Sequence, residues 1–189
     1  HLDCRRQRQM CIRDRSRCVE GDQEYSFAES VGNMLGKLGN NVATGGYQGT
    51  MEAVSKGASR YNVDVIGITV PSLFSNMNDD NFEVNANEYI NKEIKTESLS
   101  KRIHYLLENS KAIVVLPGKI GTLTELIVAW NTNYLYNISK DKDVIPIFLK
   151  KDYWKEIIDN MPEDMELSNN FLEYYENVED LEKFIEKLD

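Results

Sequence analysis

Residues 112–125 read Ala-Ile-Val-Val-Leu-Pro-Gly-Lys-Ile-Gly-Thr-Leu-Thr-Glu. The first five are a continuous apolar run, the pattern of a strand buried on both faces. Pro117 and Gly118 end it, and from Thr122 to about Tyr136 the apolar positions predict a helix. A helix entered from such a turn aims its free N–H groups and the positive end of its dipole back at the loop. Glycine lets the loop backbone approach a ligand closely, so the arrangement suits a phosphate. It is not a Walker A loop, because Lys119 is followed by Ile120 and the upstream glycine is absent.

A second strand–glycine–helix junction lies upstream, at Thr44-Gly45-Gly46-Tyr47-Gln48-Gly49-Thr50-Met51-Glu52. Around the two junctions the chain alternates. Helices are predicted at 22–38, 49–60, 97–109, 122–136, 153–159 and 179–188. Strands are predicted at 41–44, 63–70, 112–116, 144–149 and 171–175. Such alternation argues for an α/β domain, a parallel sheet covered by helices on both faces. Both glycine loops then sit at the carboxyl ends of strands, where open α/β sheets bind ligands. A long loop, 71–87, carries Asn76, Asn78, Asn81, Asn85 and Asn87, and long loops in compact domains are often functional.

The 189 residues suffice for one ordinary domain; 41% are hydrophobic and 28% charged, with a net charge of -9. That composition excludes a disordered chain and a disulfide-stapled mini-protein. No run of about 18 apolar residues predicts a membrane span. The acidic balance argues against nucleic acid or anionic membranes as partners. An anionic ligand would need local backbone donors or a few placed cations.

The N-terminal segment differs from the rest. Cys4, Cys11 and Cys18 are its three cysteines and the only ones in the chain. Their spacing of seven is no metal-ligand pattern, so neither a metal nor another cofactor is expected. The Cys-free remainder suits a reducing cytoplasm. Six arginines face two aspartates in the first 18 residues. The string at 6–15, Arg-Gln-Arg-Gln-Met-Cys-Ile-Arg-Asp-Arg, has the look of translated sequencing-adapter read-through; the alternative is a natural basic tail. Residues 1–19 are therefore read as an atypical basic segment outside the native fold, and residues 20–189 as a single domain.

The second glycine loop resembles the Pro-Gly-Gly-x-Gly-Thr-x-x-Glu signature of the LOG family. The first loop, with Met51 and Glu52, resembles the family's other glycine loop. Thr96 to Leu116 resembles the segment in which an Arg, here Arg102, precedes the signature strand, and Trp130-Asn131 matches the Trp-Asn of one branch. The resemblance implies a three-layer Rossmann-like fold. It also implies a phosphoribohydrolase that cleaves nucleoside 5'-monophosphates, cytokinin nucleotides among them, into free base and ribose 5-phosphate. A homodimer or larger assembly is implied as well. Two departures stand out. Lys119 occupies the second glycine of the signature, where a positive φ would strain it. The family's first strand, which precedes the helix at 22–38, has only Met10, Cys11 and Ile12 as apolar counterparts, too few for a central buried strand.

What the resemblance implies for the residues can be set against their plainer readings. Hydrolysis of an N-glycosidic bond passes through a ribosyl cation, which a carboxylate can stabilise while activating water. Glu125 takes that role by resemblance; by spacing, Thr122-Leu123-Thr124-Glu125 is a capping box. Arg102 would hold phosphate or orient substrate by its planar fork; otherwise it is a solvated helix residue. Gly118, Gly121 and Thr122 would donate to the 5'-phosphate, Lys119 would add a cation or face solvent, and Gly45, Gly46 and Gly49 would line the other side. Glu52 would bond ribose or remain a surface acid. His104 is expected at the surface, and Trp130, Tyr134 and Leu135 in the core or between subunits. The rival readings are a non-catalytic nucleotide or molybdenum-cofactor carrier of the same fold, and a lysine decarboxylase, for which no Schiff-base lysine motif is present.

Overall fold

Among the described residues, seven strands of four or five residues run parallel in one sheet. The computed structural model describes residues 9–13, 18–73, 85–140, 142–162 and 171–188. The strands are β1 (Gln9–Arg13), β2 (Asn41–Thr44), β3 (Val65–Thr69), β4 (Lys92–Lys95), β5 (Ala112–Val115), β6 (Ile147–Lys150) and β7 (Leu172–Tyr175). The helices are α1 (Gln23–Lys37), α2 (Thr50–Ala58), α3 (Leu99–Glu108), α4 (Ile120–Ser139), α5 (Lys151–Asp159) and α6 (Val178–Glu186). The spatial order is β4-β3-β2-β1-β5-β6-β7. This is the expected three-layer, Rossmann-like α/β architecture.

Alternation along the strands divides the interior into two cores. Met10, Ile12, Val42, Val114 and Leu116 pack under α1, α2 and α6. Cys11, Ala43, Ile113 and Val115 pack under α3, α4 and α5. Helix starts follow local chemistry: the Ser98 hydroxyl accepts from Lys101 N at 3.3 Å, and Asn177 Oδ1 from Asp180 N at 2.9 Å. These are N-caps for α3 and α6.

The expectation that residues 1–19 lie outside the fold is corrected for Gln9–Arg13. They form the middle strand, paired with β2 on one side and β5 on the other. Three apolar residues suffice because the strand is short and flanked on both sides. Met10 and Ile12 enter one core and Cys11 the other, and full burial of such a side chain contributes about 1.5–3 kcal/mol. Cys18 is buried too. The other residues of the basic segment that bear on its reading, Cys4 among them, lie outside the described residues. So do Asn76, Asn78 and Asn81 of the long loop.

The edge strand β4 was not predicted. Lys92, Glu93 and Lys95 are exposed and only Ile94 is half-buried, so no apolar run marks it. Charged side chains are what an unpaired sheet edge requires to resist self-association.

The sheet order reverses at β1, since the chain passes from β1 to β2 on one side and later to β5 on the other. Ligands of open α/β sheets bind in the crevice at such a switch point. The two glycine loops follow β2 and β5, and so flank the end of β1.

Candidate functional site

The loop after β2 is held by its neighbours. Thr44 Oγ1 accepts from Gly46 N at 3.0 Å. Asn87 donates from Nδ2 to the carbonyls of Gly46 and Tyr47, at 3.2 and 3.0 Å. Its own N–H donates to Gly46 O at 2.8 Å. The Tyr47 hydroxyl accepts from Val70 N at 2.9 Å, and burial raises its pKa above the ordinary phenol range. Gly46 has φ +84° and lies against β3, where an added Cβ would come 3.1 Å from Gly67 Cα. Only glycine meets both conditions. Gly49 caps α2. Asn87 was legible only as part of an Asn-rich loop; its task is to fasten the first glycine loop.

The loop after β5 is shaped by packing. A Cβ on Gly118 would lie 2.1 Å from Thr122 Oγ1 and 2.5 Å from Thr122 Cβ, so the backbone there tolerates no side chain. Gly121 faces open space. Lys119 is exposed, with φ -102° and ψ -161°. The strain expected of lysine at the signature glycine is therefore absent, because this position needs no positive φ. The helix starts at Ile120, so Thr122 stands inside the first turn and cannot be its N-cap. The capping-box reading of Thr122 and Glu125 is corrected accordingly.

Glu125 is turned into the protein instead. Its Oε1 accepts from Arg102 Nη2 at 2.7 Å, with the two side chains 8% and 16% exposed. Arg102 comes from α3, which follows the edge strand, and Glu125 from α4, which follows β5. The Arg102 guanidinium also lies against the first glycine loop: a Cβ on Gly45 would sit 3.2 Å from its Nη1 and 2.9 Å from Met51 Sδ. The Arg102 Nε is buried without a hydrogen-bond partner. One arginine thus joins the first glycine loop to α4, with a donor to spare.

Glu52 is placed otherwise. The nearest charges acting on it are Glu88, Lys56 and Glu20. Partial burial first, and then Glu88, raise its pKa above the ordinary carboxylate range, while Lys56 and the Gly49 N–H oppose them. His104 is exposed and faces Glu108, at 3.1 Å. Trp130 is in the core, and Tyr134 and Leu135 are exposed on α4.

A cleft of about 550 Å3 opens beside the loops. Thr50 and Pro117 line it from the two glycine junctions, with Phe27, Lys150, Tyr153 and Glu176 around them. Arg102 and Glu125 lie outside its lining. Among the described residues no cluster of His, Cys, Asp and Glu is arranged to hold a metal ion. No helix among them is long and apolar enough to cross a membrane.

Comparisons with known proteins bear on the fold and the family. The chain is 31% identical over 135 residues to the pyrimidine/purine nucleotide 5'-monophosphate nucleosidase of Escherichia coli K12. That match covers 68% of this chain but only 28% of the relative, so the chain spans little more than a quarter of its length. A structural-genomics X-ray structure superimposes with a TM-score of 0.71 at 24% identity, covering 95% of this chain and 98% of that one. The molybdenum cofactor binding protein of Rippkaea orientalis superimposes with a TM-score of 0.70 at 18% identity, covering 95% of each chain. These likenesses show the fold. The SLOG cluster4 family matches residues 14–166, a span that holds both glycine loops, Arg102 and Glu125. The chain belongs to the SLOG cluster4 family.

Proposed function

We propose that this protein hydrolyses the N-glycosidic bond of nucleoside 5'-monophosphates, releasing free base and ribose 5-phosphate. The observation that carries the reading is the Arg102–Glu125 pair, set between two glycine loops at the switch point of the sheet. The likeness to a nucleotide 5'-monophosphate nucleosidase supports it.

The chemistry follows from the residues. The phosphate is held at the start of α4 by first-turn N–H groups and the Thr122 hydroxyl. As the bond from C1' to the base breaks, positive charge grows on the ribosyl ring. Glu125, buried beside that ring, stabilises the charge and accepts a proton from the attacking water. The hydroxide joins C1' with its remaining proton, and the proton taken up by Glu125 passes to the departing base, which returns the carboxylate to its charged form. Arg102 holds the carboxylate in place and offers its remaining N–H donors to ribose or phosphate. Gly45, Gly46 and Gly49 form the opposite wall. Glu52 stands on α2 as a secondary contact for the sugar.

The working assembly is a homodimer or larger homo-oligomer. Val128, Leu135 and Ile138 are exposed along α4, and a second copy of the chain would cover them.

The test is release of base and ribose 5-phosphate from a panel of 5'-monophosphates, including cytokinin-type nucleotides, and from the matching nucleosides. Cleavage of monophosphates alone, lost in Glu125→Gln, is expected. A second reading, a nucleotide or molybdenum-cofactor carrier, draws on the fold-level likeness to the Rippkaea protein. Tight binding with no base released by either version would favour it.

A further inference from the structure

Two neighbouring side chains of α5 fasten the turn that carries the second glycine loop. The Trp154 indole Nε1–H donates to Leu116 O at 3.0 Å. The Tyr153 hydroxyl donates to Gly118 O at 2.5 Å. Trp154 is buried, and the two rings meet edge to face with centroids 5.1 Å apart. Both carbonyls that bracket Pro117 are thus pulled toward α5.

A trans peptide is planar, and its C=O and N–H point in opposite directions. Where a side chain holds the carbonyl toward α5, the N–H of the next residue is turned away from α5. For the Leu116 carbonyl the next residue is Pro117, which has no N–H. For the Gly118 carbonyl it is Lys119, whose N–H then faces the opposite side, just before the first turn of α4. Of the two fastened peptides, only the one held by Tyr153 presents a donor. This also accounts for a lysine at the signature's second glycine. The backbone N–H is the part in use, φ is -102°, and the side chain is free to point outward.

We infer that Tyr153 is a positioning residue, which aims the Lys119 N–H at the substrate's phosphate by holding the Gly118 carbonyl. The inference rests on the nucleotide reading above. It extends that site to α5, which contributes no motif of its own.

The test uses Tyr153→Phe, which removes one hydroxyl from a residue 40% exposed. Binding of inorganic phosphate, ribose 5-phosphate and the unphosphorylated nucleoside is measured by calorimetry, with thermal melting in parallel and kcat and KM determined for a monophosphate. Phosphate and ribose 5-phosphate affinity is expected to fall about tenfold, the effect of one hydrogen bond. KM for the monophosphate should rise with little change in kcat, and nucleoside affinity should hardly move. Unchanged phosphate affinity in Tyr153→Phe overturns the inference, and leaves the nucleotide reading standing if the wild type cleaves monophosphates. An equal loss of affinity for nucleoside and for ribose 5-phosphate also overturns it, since that marks a general structural defect. A wild type that neither binds ribose 5-phosphate nor cleaves monophosphates overturns both readings.

Discussion

Arg102 Nη2 donates to Glu125 Oε1 across 2.7 Å, joining α3 to α4 with both side chains largely buried. Breaking a fully buried ion pair from one side costs about 3–5 kcal/mol, because the surviving charge is left unpaired. The cost here should fall toward the lower end, as Arg102 keeps 16% of its surface. Arg102→Met should therefore destabilise the fold by about 3 kcal/mol. Adding Glu125→Leu should restore much of that loss while leaving no activity. Urea denaturation of both singles and the double completes the cycle. Strictly additive losses would mean that the pair is not coupled.

Gly118 and Gly121 should respond in opposite ways to the same change. A methyl on Gly118 would meet Thr122 Oγ1 at 2.1 Å, whereas Gly121 has nothing within 4 Å. Gly118→Ala forces the loop from Thr122, at an overpacking cost of about 1–3 kcal/mol, and should weaken phosphate binding with it. Gly121→Ala, inside the first turn of α4, should stabilise by about 0.5–1 kcal/mol. Melting curves of the two variants decide the matter, and a shared sign would contradict this account of the loop.

How far these features could be read from the residues alone varied with their physics. β5 and its glycine loop were legible because a strand buried on both faces must be apolar throughout. β1 was not, since a middle strand needs only Met10, Cys11 and Ile12 when its neighbours supply the remaining contacts. β4 lay hidden because an edge strand shows water and charge. The partnership of Arg102 and Glu125 depends on residues 23 positions apart meeting between two neighbouring helices on one face of the sheet, and no local spacing reports that. Spacing favoured a capping box at Thr122, and it failed because the helix begins two residues earlier, at Ile120. Tyr153 and Asn87 act through hydrogen bonds to loop carbonyls, which leave no periodic trace.

Glu52 should make stability depend on pH. Its carboxyl binds a proton more tightly in the fold than in the unfolded chain, through burial and then Glu88. The stability linked to this group is therefore fully present below the unfolded pKa and is lost as pH rises through the raised, folded value. Glu52→Gln keeps an oxygen for the Gly49 N–H and removes the charge. It should raise the melting temperature at pH 7, change little at pH 4, and flatten the decline between them. A variant less stable than wild type at pH 7 would show that the charged carboxylate is wanted, for instance by Lys56.

The outer face of α4 presents Val128, Leu135 and Ile138 to water. Residues 128, 135 and 138 recur at helical spacing and so share one stripe. Contiguous apolar surface on a helix signals a partner more often than isolated exposed residues do. A second copy is the economical partner, because a two-fold axis lets the same stripe serve both chains. Sedimentation equilibrium should give twice the chain mass for the wild type and the single-chain mass for Leu135→Glu, which places a charge at the centre of the stripe. Unfolding is not expected to explain that result, since Leu135 is 53% exposed in the single chain and its replacement leaves no cavity. A wild type that sediments as one chain at high concentration would remove the dimer from the account and leave the chemistry of Glu125 to a single subunit.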